Sequence, residues 1–164
     1  GLLQNIDAIH GQTVLLAATN HDHLLDPAIW RRFAYRLRLS LPDMEARAAI
    51  FGKFLAKTLP IRTSERFAEA SEGLSGSDIR DICEGSRREA IVANEPEVRE
   101  ADVLRRILFR SIDVEGLSIP DIIAKAKELH PHVYTHRVLA EAFDMTAGNV
   151  THILKKQQRE EVEP

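Results

Sequence analysis

Three side chains in the first fifth of the 164-residue sequence have types and spacings suited to phosphate chemistry. Asn20 closes the apolar run Val14-Leu-Leu-Ala-Ala-Thr19. An uncharged amide just past the carboxyl end of a buried strand lies where open α/β sheets bind ligands, and it can hold a water and a phosphate oxygen together. Arg31 and Arg32 end a short helix opened by Asp26-Pro27, directly before Phe33. Transfer of a terminal phosphoryl group spreads negative charge over its oxygens, and an arginine supplied by a neighbour can offset that charge. Each feature also has a plain structural reading. Asn is common in strand-ending turns, and cations near a helix C-terminus suit the helix dipole.

A second group follows at Gly73-Leu-Ser-Gly76-Ser77-Asp78-Ile79. Gly76 lets a ligand approach the backbone at a helix N-terminus, and the small Ser77 leaves room beside it. The alternative is a helix cap and nothing more. Arg80 is either a phosphate contact or a solvated side chain. His21 and His23 have no third ligand at metal-site spacing and read as loop residues, so no metal site is expected there. His130, His132 and His136 flank a chain break in the same way. Cys83, the only cysteine, lies on an apolar helix face and reads as a packing thiol.

The elements that position these groups follow from hydrophobic periodicity. Leu2, Leu3, Ile6 and Ile9 share one face at the end of a helix. Thr13–Thr19 is a branched apolar run consistent with a strand buried on both faces. Tyr35–Leu41 alternates strictly, as a half-exposed edge strand does. Met44–Lys57 is predicted helical, with Ala46, Ile50 and Phe54 inward. Further helices are predicted over Ser64–Glu72, from the Ser75–Asp78 cap onward (with Ile79, Ile82, Cys83, Ser86, Ala90 and Ile91 inward), and over Glu100–Ile112 (with Val103, Leu104, Ile107 and Leu108 inward). Ser118 caps a helix that runs to Leu129. Two short helices follow, Thr135–Phe143 and Thr146 to about Gln158.

The segment Val14–Phe33 together with Gly73–Ile79 resembles the back half of an AAA+ ATPase core and its lid. The Arg-Arg-Phe ending is similar to the severing and remodelling branches of the AAA family. Many relatives have Arg-Pro-Gly-Arg-Phe-Asp; here the Pro-Gly pair is absent and Ala34 stands in place of the Asp. The resemblance implies that Asn20 is sensor 1, that Arg31 or Arg32 is the arginine finger, and that Gly76, Ser77 and Arg80 lie beside the nucleotide. It further implies ATP with Mg2+, a homo-oligomeric ring of hexameric type, and remodelling of a macromolecule. It places the strands equivalent to Thr13–Thr19 and Tyr35–Leu41 on either side of a strand upstream of Gly1, so residues 1–42 carry an incomplete sheet. The sequence contains no Gly-x-x-x-x-Gly-Lys-Ser/Thr segment and no acidic strand end for the metal. This chain alone is therefore expected to bind no nucleotide tightly and to be inactive.

Residues 136–155 carry a second pattern. Leu139, Ala140, Phe143, Met145, Val150 and Ile153 fall where a helix-turn-helix needs apolar or small residues. Asp144 stands at the left-handed turn position, and Thr146 caps the second helix. Asn149, Thr151 and His152 would face a DNA groove, with Lys155 and Lys156 near phosphate. Against that, residues 113–164 carry 6 Lys or Arg and 9 Asp or Glu, which disfavours nonspecific DNA affinity. The alternative is a face on residues 118–158 that docks a protein.

The expected fold is mainly α with a partial α/β segment. Residues 1–42 form the end of a parallel-sheet core, 43–112 a four-helix lid, and 113–164 a helix-turn-helix-like three-helix module. Net charge is −3 with His neutral. No apolar stretch approaches the roughly 18 residues of a membrane span, and the single cysteine fits a reducing, cytoplasmic setting. The rival class is a noncatalytic DNA-binding regulator or protein-docking adaptor that acts through the tail.

Overall fold

A computed structural model of the chain describes residues 2–9, 11, 13–55 and 60–160. Contacts divide it into two compact units, Gly1–Ser40 and Leu41–Pro164.

The first unit contains helix α1 (Leu2–Asp7), a single 3-10 turn (Asp22–Leu24) and the one-turn helix α2 (Pro27–Trp30). Asp26 and Pro27 start α2 as expected. The Asp26 carboxylate accepts from the Ala28 amide at 2.7 Å, and the proline occupies a position whose N–H would have no partner in any case. The two expected strands are corrected. No strand is formed among the described residues, and Val14 and Leu37 are 91% and 90% exposed. Periodicity reports which side chains suit a sheet, whereas a strand exists only when neighbouring backbone supplies the ladder bonds. Neither segment has such a neighbour among the described residues.

Every described element of the second unit is a helix: α3 (Met44–Leu55), α4 (Ile61–Ala70), α5 (Gly76–Val92), α6 (Glu100–Ser111), α7 (Ile119–Leu129), α8 (His136–Ala142) and α9 (Ala147–Glu160); residues 56 and 57 of the predicted Met44–Lys57 helix lie outside the described residues. The caps predicted at Ser75 and Ser118 both form. Ser75 and Ser118 each form a reciprocal capping box, with Asp78 and Asp121. Thr135 accepts from the Val138 amide. Asp144 takes φ +50° in the turn between α8 and α9.

Three details differ from expectation. Helix α4 spans Ile61–Ala70 rather than Ser64–Glu72, because extended Pro60 is its N-cap and Thr63 and Ser64 are buried within it. Helix α3 lies between α4 and α5, so its buried arc centres on Arg47, Phe51 and Leu55, with Ile50 and Phe54 at the margin. Ile91 is 76% exposed, because α5 runs past the edge of the core near its end.

One apolar cluster extends from Phe51 in α3 to Val150 in α9. Phe51 and Phe67 meet with ring centroids 5.3 Å apart, and Ile79, Leu104, Ile107, Ile123 and Leu139 fill the centre. Full burial of each such side chain is worth about 1.5–3 kcal/mol. Two polar links cross from α4 and α6 to the 130–134 loop. Buried Tyr134 donates to the Leu104 carbonyl at 3.1 Å, and Arg66 donates to the Val133 carbonyl at 2.8 Å while pairing with Glu100. Among the described residues, no helix is long and apolar enough to cross a membrane.

Candidate nucleotide site

The residues expected to act on phosphate fall in both units. In the first, Asn20 is exposed at a bend, and the Thr19 hydroxyl accepts from the His21 amide at 3.0 Å to tighten the turn. Helix α2 then sets the two arginines apart. Arg31 is the C-terminal cap residue; its side chain is exposed and makes no ion pair among the described residues. Arg32 is engaged. Its Nε and Nη2 donate to the two carboxylate oxygens of Asp7 at 2.5 and 2.7 Å, and Nη1 donates to the Ala28 carbonyl at 2.9 Å. This fork-on-carboxylate geometry is the strong form of an ion pair. The hydrogen bond from Arg32 holds the Asp7 carboxyl below its usual range, and the same bond raises Arg32. Sequence reasoning missed Asp7, because its partner lies 25 positions away and no local pattern marks it. It also missed Arg36, which donates to the Trp30 carbonyl at 3.0 Å and lies 5.2 Å from the Trp30 ring centroid.

In the second unit the candidate groups surround the N-terminus of α5. Gly76 is the first helical residue, and a Cβ built there would meet only the Ile50 Cδ1 atom, at 3.6 Å. The fold therefore leaves room for a Cβ at Gly76. Ser77 is exposed. Asp78 faces back into the cap: its carboxylate accepts from the Ser75 amide at 3.0 Å and the Ser75 hydroxyl at 2.6 Å, and from Arg110 at 2.9 and 2.5 Å. The bonds from Ser75, then those from Arg110, lower the Asp78 carboxyl to about 2. Arg80 is half exposed and lies 3.7 and 3.9 Å from Asp81 and Glu84 on its own helix. Its neighbours are thus those of a surface helical pair.

The C-terminal candidates separate as well. Asn149, His152, Lys155 and Lys156 are exposed on α9. The Thr151 hydroxyl instead donates to the Ala147 carbonyl at 2.9 Å and pairs with His136 Nδ1 at 3.1 Å, which places it half-buried against α8. His21 and His23 meet edge to face with centroids 6.1 Å apart, and among the described residues no group of three His, Cys, Asp or Glu side chains converges. Cys83 is buried, and burial pushes its thiol up to about 12, so it is a packing group rather than a nucleophile.

No protein-family model matches the chain. Among curated proteins it is 31% identical over 135 residues to the proteasome-associated ATPase of Streptomyces coelicolor, a match covering 78% of this chain and 23% of that protein. It is 36% identical over 110 residues to an AAA family ATPase of Sinorhizobium fredii, y4kL, covering 65% of this chain and 32% of that protein. With the ATP-dependent zinc metalloprotease FtsH of Hahella chejuensis it shares 34% identity over 98 residues, 57% of this chain and 16% of that protein. The chain belongs to the AAA+ ATPases and corresponds to a C-terminal part of such a protein. It spans about a quarter of the length of the proteasome-associated ATPases it matches.

Proposed function

We propose that this chain supplies the water-orienting amide, the arginine finger and the lid of an ATP-hydrolysing AAA+ ring protein that remodels a macromolecular substrate. Asn20 is sensor 1: its side-chain amide orients the water that attacks the terminal phosphorus of ATP. Arg31 is the finger that reaches the nucleotide of the neighbouring subunit in a hexameric ring, offsetting charge on the transferring phosphoryl group. Residues 43–112 form the lid, and Gly76 and Ser77, at the N-terminus of α5, lie beside the nucleotide. The observation that carries the reading is the unequal state of the paired arginines. Arg31 is exposed and without an ionic partner among the described residues, whereas Asp7 holds Arg32 by both carboxylate oxygens. Arg32 is then the support that fixes the end of α2, and Arg31 the side chain left to act. Mg2+ would accompany ATP in the intact protein. The described residues include no converging carboxylate set for it, and no step here runs through it.

Steady-state turnover of the intact protein tests this assignment. Arg31→Ala should lower kcat by about 1,000-fold or more with little change in ATP affinity. Arg32→Ala and Asp7→Asn should cost less and should lower thermal stability along with turnover. Wild-type turnover in Arg31→Ala would overturn it.

The exposed α9 face supports a second reading, a noncatalytic regulator or adaptor whose helix-turn-helix-like tail (residues 113–164) meets DNA or a protein. Asn149, His152, Lys155 and Lys156 form that face, while the acidic balance of the segment favours protein over DNA. A low-salt gel-shift titration with genomic DNA fragments separates the two, because retardation that weakens with salt marks DNA.

A further inference from the structure

Helix α2 has four residues and none of them is buried. Such a helix does not hold its own shape. Closing a first turn fixes several dihedrals for one hydrogen bond, so isolated helices below about 12 residues are marginal in water. Its last carbonyls lack helical partners and carry the negative end of the helix dipole. Two guanidinium groups sit on them. Arg32 Nη1 donates to the Ala28 carbonyl at 2.9 Å, and Arg36 Nη2 donates to the Trp30 carbonyl at 3.0 Å. Each cation is itself held by something else. The Asp7 carboxylate holds Arg32. The Trp30 ring holds Arg36, whose guanidinium carbon lies 5.2 Å from the ring centroid, within reach of the attraction between a cation and an indole face.

These two anchors bracket Arg31. Trp30 before it is fixed through both its ring and its carbonyl, and Arg32 after it through its guanidinium. The Arg31 backbone stays helical, with φ −69° and ψ −17°, and its amide donates to the Pro27 carbonyl at 3.3 Å. Its side chain remains exposed. A long side chain with a fixed root has less freedom to lose when its tip is engaged.

We propose that Arg36 is a positioning residue for Arg31: by clamping Trp30 through ring and carbonyl, it fixes the end of α2 that carries the finger. This rests on the reading of Arg31 as the finger. Asp7 with Arg32 supports one side of the turn and Arg36 with Trp30 the other. The two supports share no side chain, so loss of one leaves the other in place. Geometry is what such a support secures, since a misplacement of ~1 Å at a reacting centre can cost ~100-fold in rate.

Fluorescence of the full chain and turnover of the intact protein test it. Trp30 is the only tryptophan, so its emission in the full chain reports the clamp directly. Arg36→Ala should shift that emission to the red and raise its quenching by acrylamide. Unchanged emission and quenching would mean that no clamp exists and would overturn the proposal. In turnover, Arg36→Ala should lower kcat about tenfold and leave KM for ATP within about twofold, because the finger acts on the transferring phosphoryl group rather than on bound ATP. Arg36→Lys keeps the cation and can reach the carbonyl, and its kcat should fall between the two. A role in stability alone would leave the rate per folded molecule at the wild-type value; that result overturns the proposal. The double variant supplies the last test. If Arg36 acts through Arg31, adding Arg36→Ala to Arg31→Ala lowers kcat no further, whereas a second tenfold loss would show an independent effect and overturn it. Failure of the finger reading looks different: Arg31→Ala would then turn over at the wild-type rate, while the change in Trp30 emission on Arg36→Ala would persist.

Discussion

Residues 41–164 bury Phe51, Phe67, Ile79, Leu104 and Leu139 in one continuous cluster, whereas no described side chain in residues 1–40 is buried. Both regions are rich in apolar residues. The difference lies in what each can cover. A helix closes its own backbone hydrogen bonds and needs only a neighbour for its apolar stripe, and seven helices in sequence provide those neighbours. A strand needs a second strand for its backbone before its side chains matter. Apolar pattern therefore identifies a face that favours burial, and only topology supplies what buries it.

The largest test of this contrast is amide exchange on the full chain. Amides in the middle of α5 and α6 should exchange at least ~1,000-fold more slowly than those of residues 13–19, because local opening costs range from near zero to the full unfolding free energy. Comparable protection in the two regions would break the comparison. Next in size are paired truncations read by chemical denaturation. Phe51→Ala should cost about 3–5 kcal/mol, as a large side chain removed from a packed core does. Leu16→Ala, at a residue 91% exposed, should stay within about 0.5 kcal/mol.

The smallest effect sharpens the account of the helical unit. Ser75→Ala should cost about 1 kcal/mol by removing the cap of α5. The same change should reshape acid unfolding. The folded state holds the Asp78 carboxyl at about 2 against an ordinary 3.8, so it favours the charged form. The resulting stability is complete above about 3.8, declines as pH falls through that interval, and is gone below about 2. Ser75→Ala raises the folded value and should flatten the decline. An acid-unfolding curve of unchanged steepness would remove Ser75 as the principal cause.

Much of the helical architecture was legible because its signals are local. Asp26-Pro27, Ser75 with Asp78, Ser118 with Asp121, and Asp144 each act within four residues, and each does in space what its type suggests. The inward residues of α6 followed from period alone. What was not legible depends on distant partners. Arg47 looks like a surface arginine until α4 presents its carbonyls. Arg66 gives no hint of the Val133 carbonyl 67 positions on, and Asp7 gives none of Arg32. The buried arc of α3 was misplaced by one position because two flanking helices, rather than the helix's own stripe, choose its centre. For the candidate site, residue types were readable at Asn20, Arg31 and Gly76. That Arg32 is paired and Arg31 exposed depended on a carboxylate outside their segment.

The Tyr134 and Arg66 links carry a consequence for inheritance. The sequence between Ile112 and Ser118 resembles a seam at which one tail could be exchanged for another, yet Tyr134 bonds to α6, and Arg66 of α4 reaches the loop that holds it. A lineage that replaced everything after residue 112 would leave the Leu104 carbonyl without its hydroxyl partner and uncover the apolar surface around it. Transplanting this tail onto another protein would in turn require carrying parts of α4 and α6 with it. The tail and the helices before it thus share one compact unit from Leu41 onward, and a transplanted tail should stay folded only when its partners in α4 and α6 travel with it.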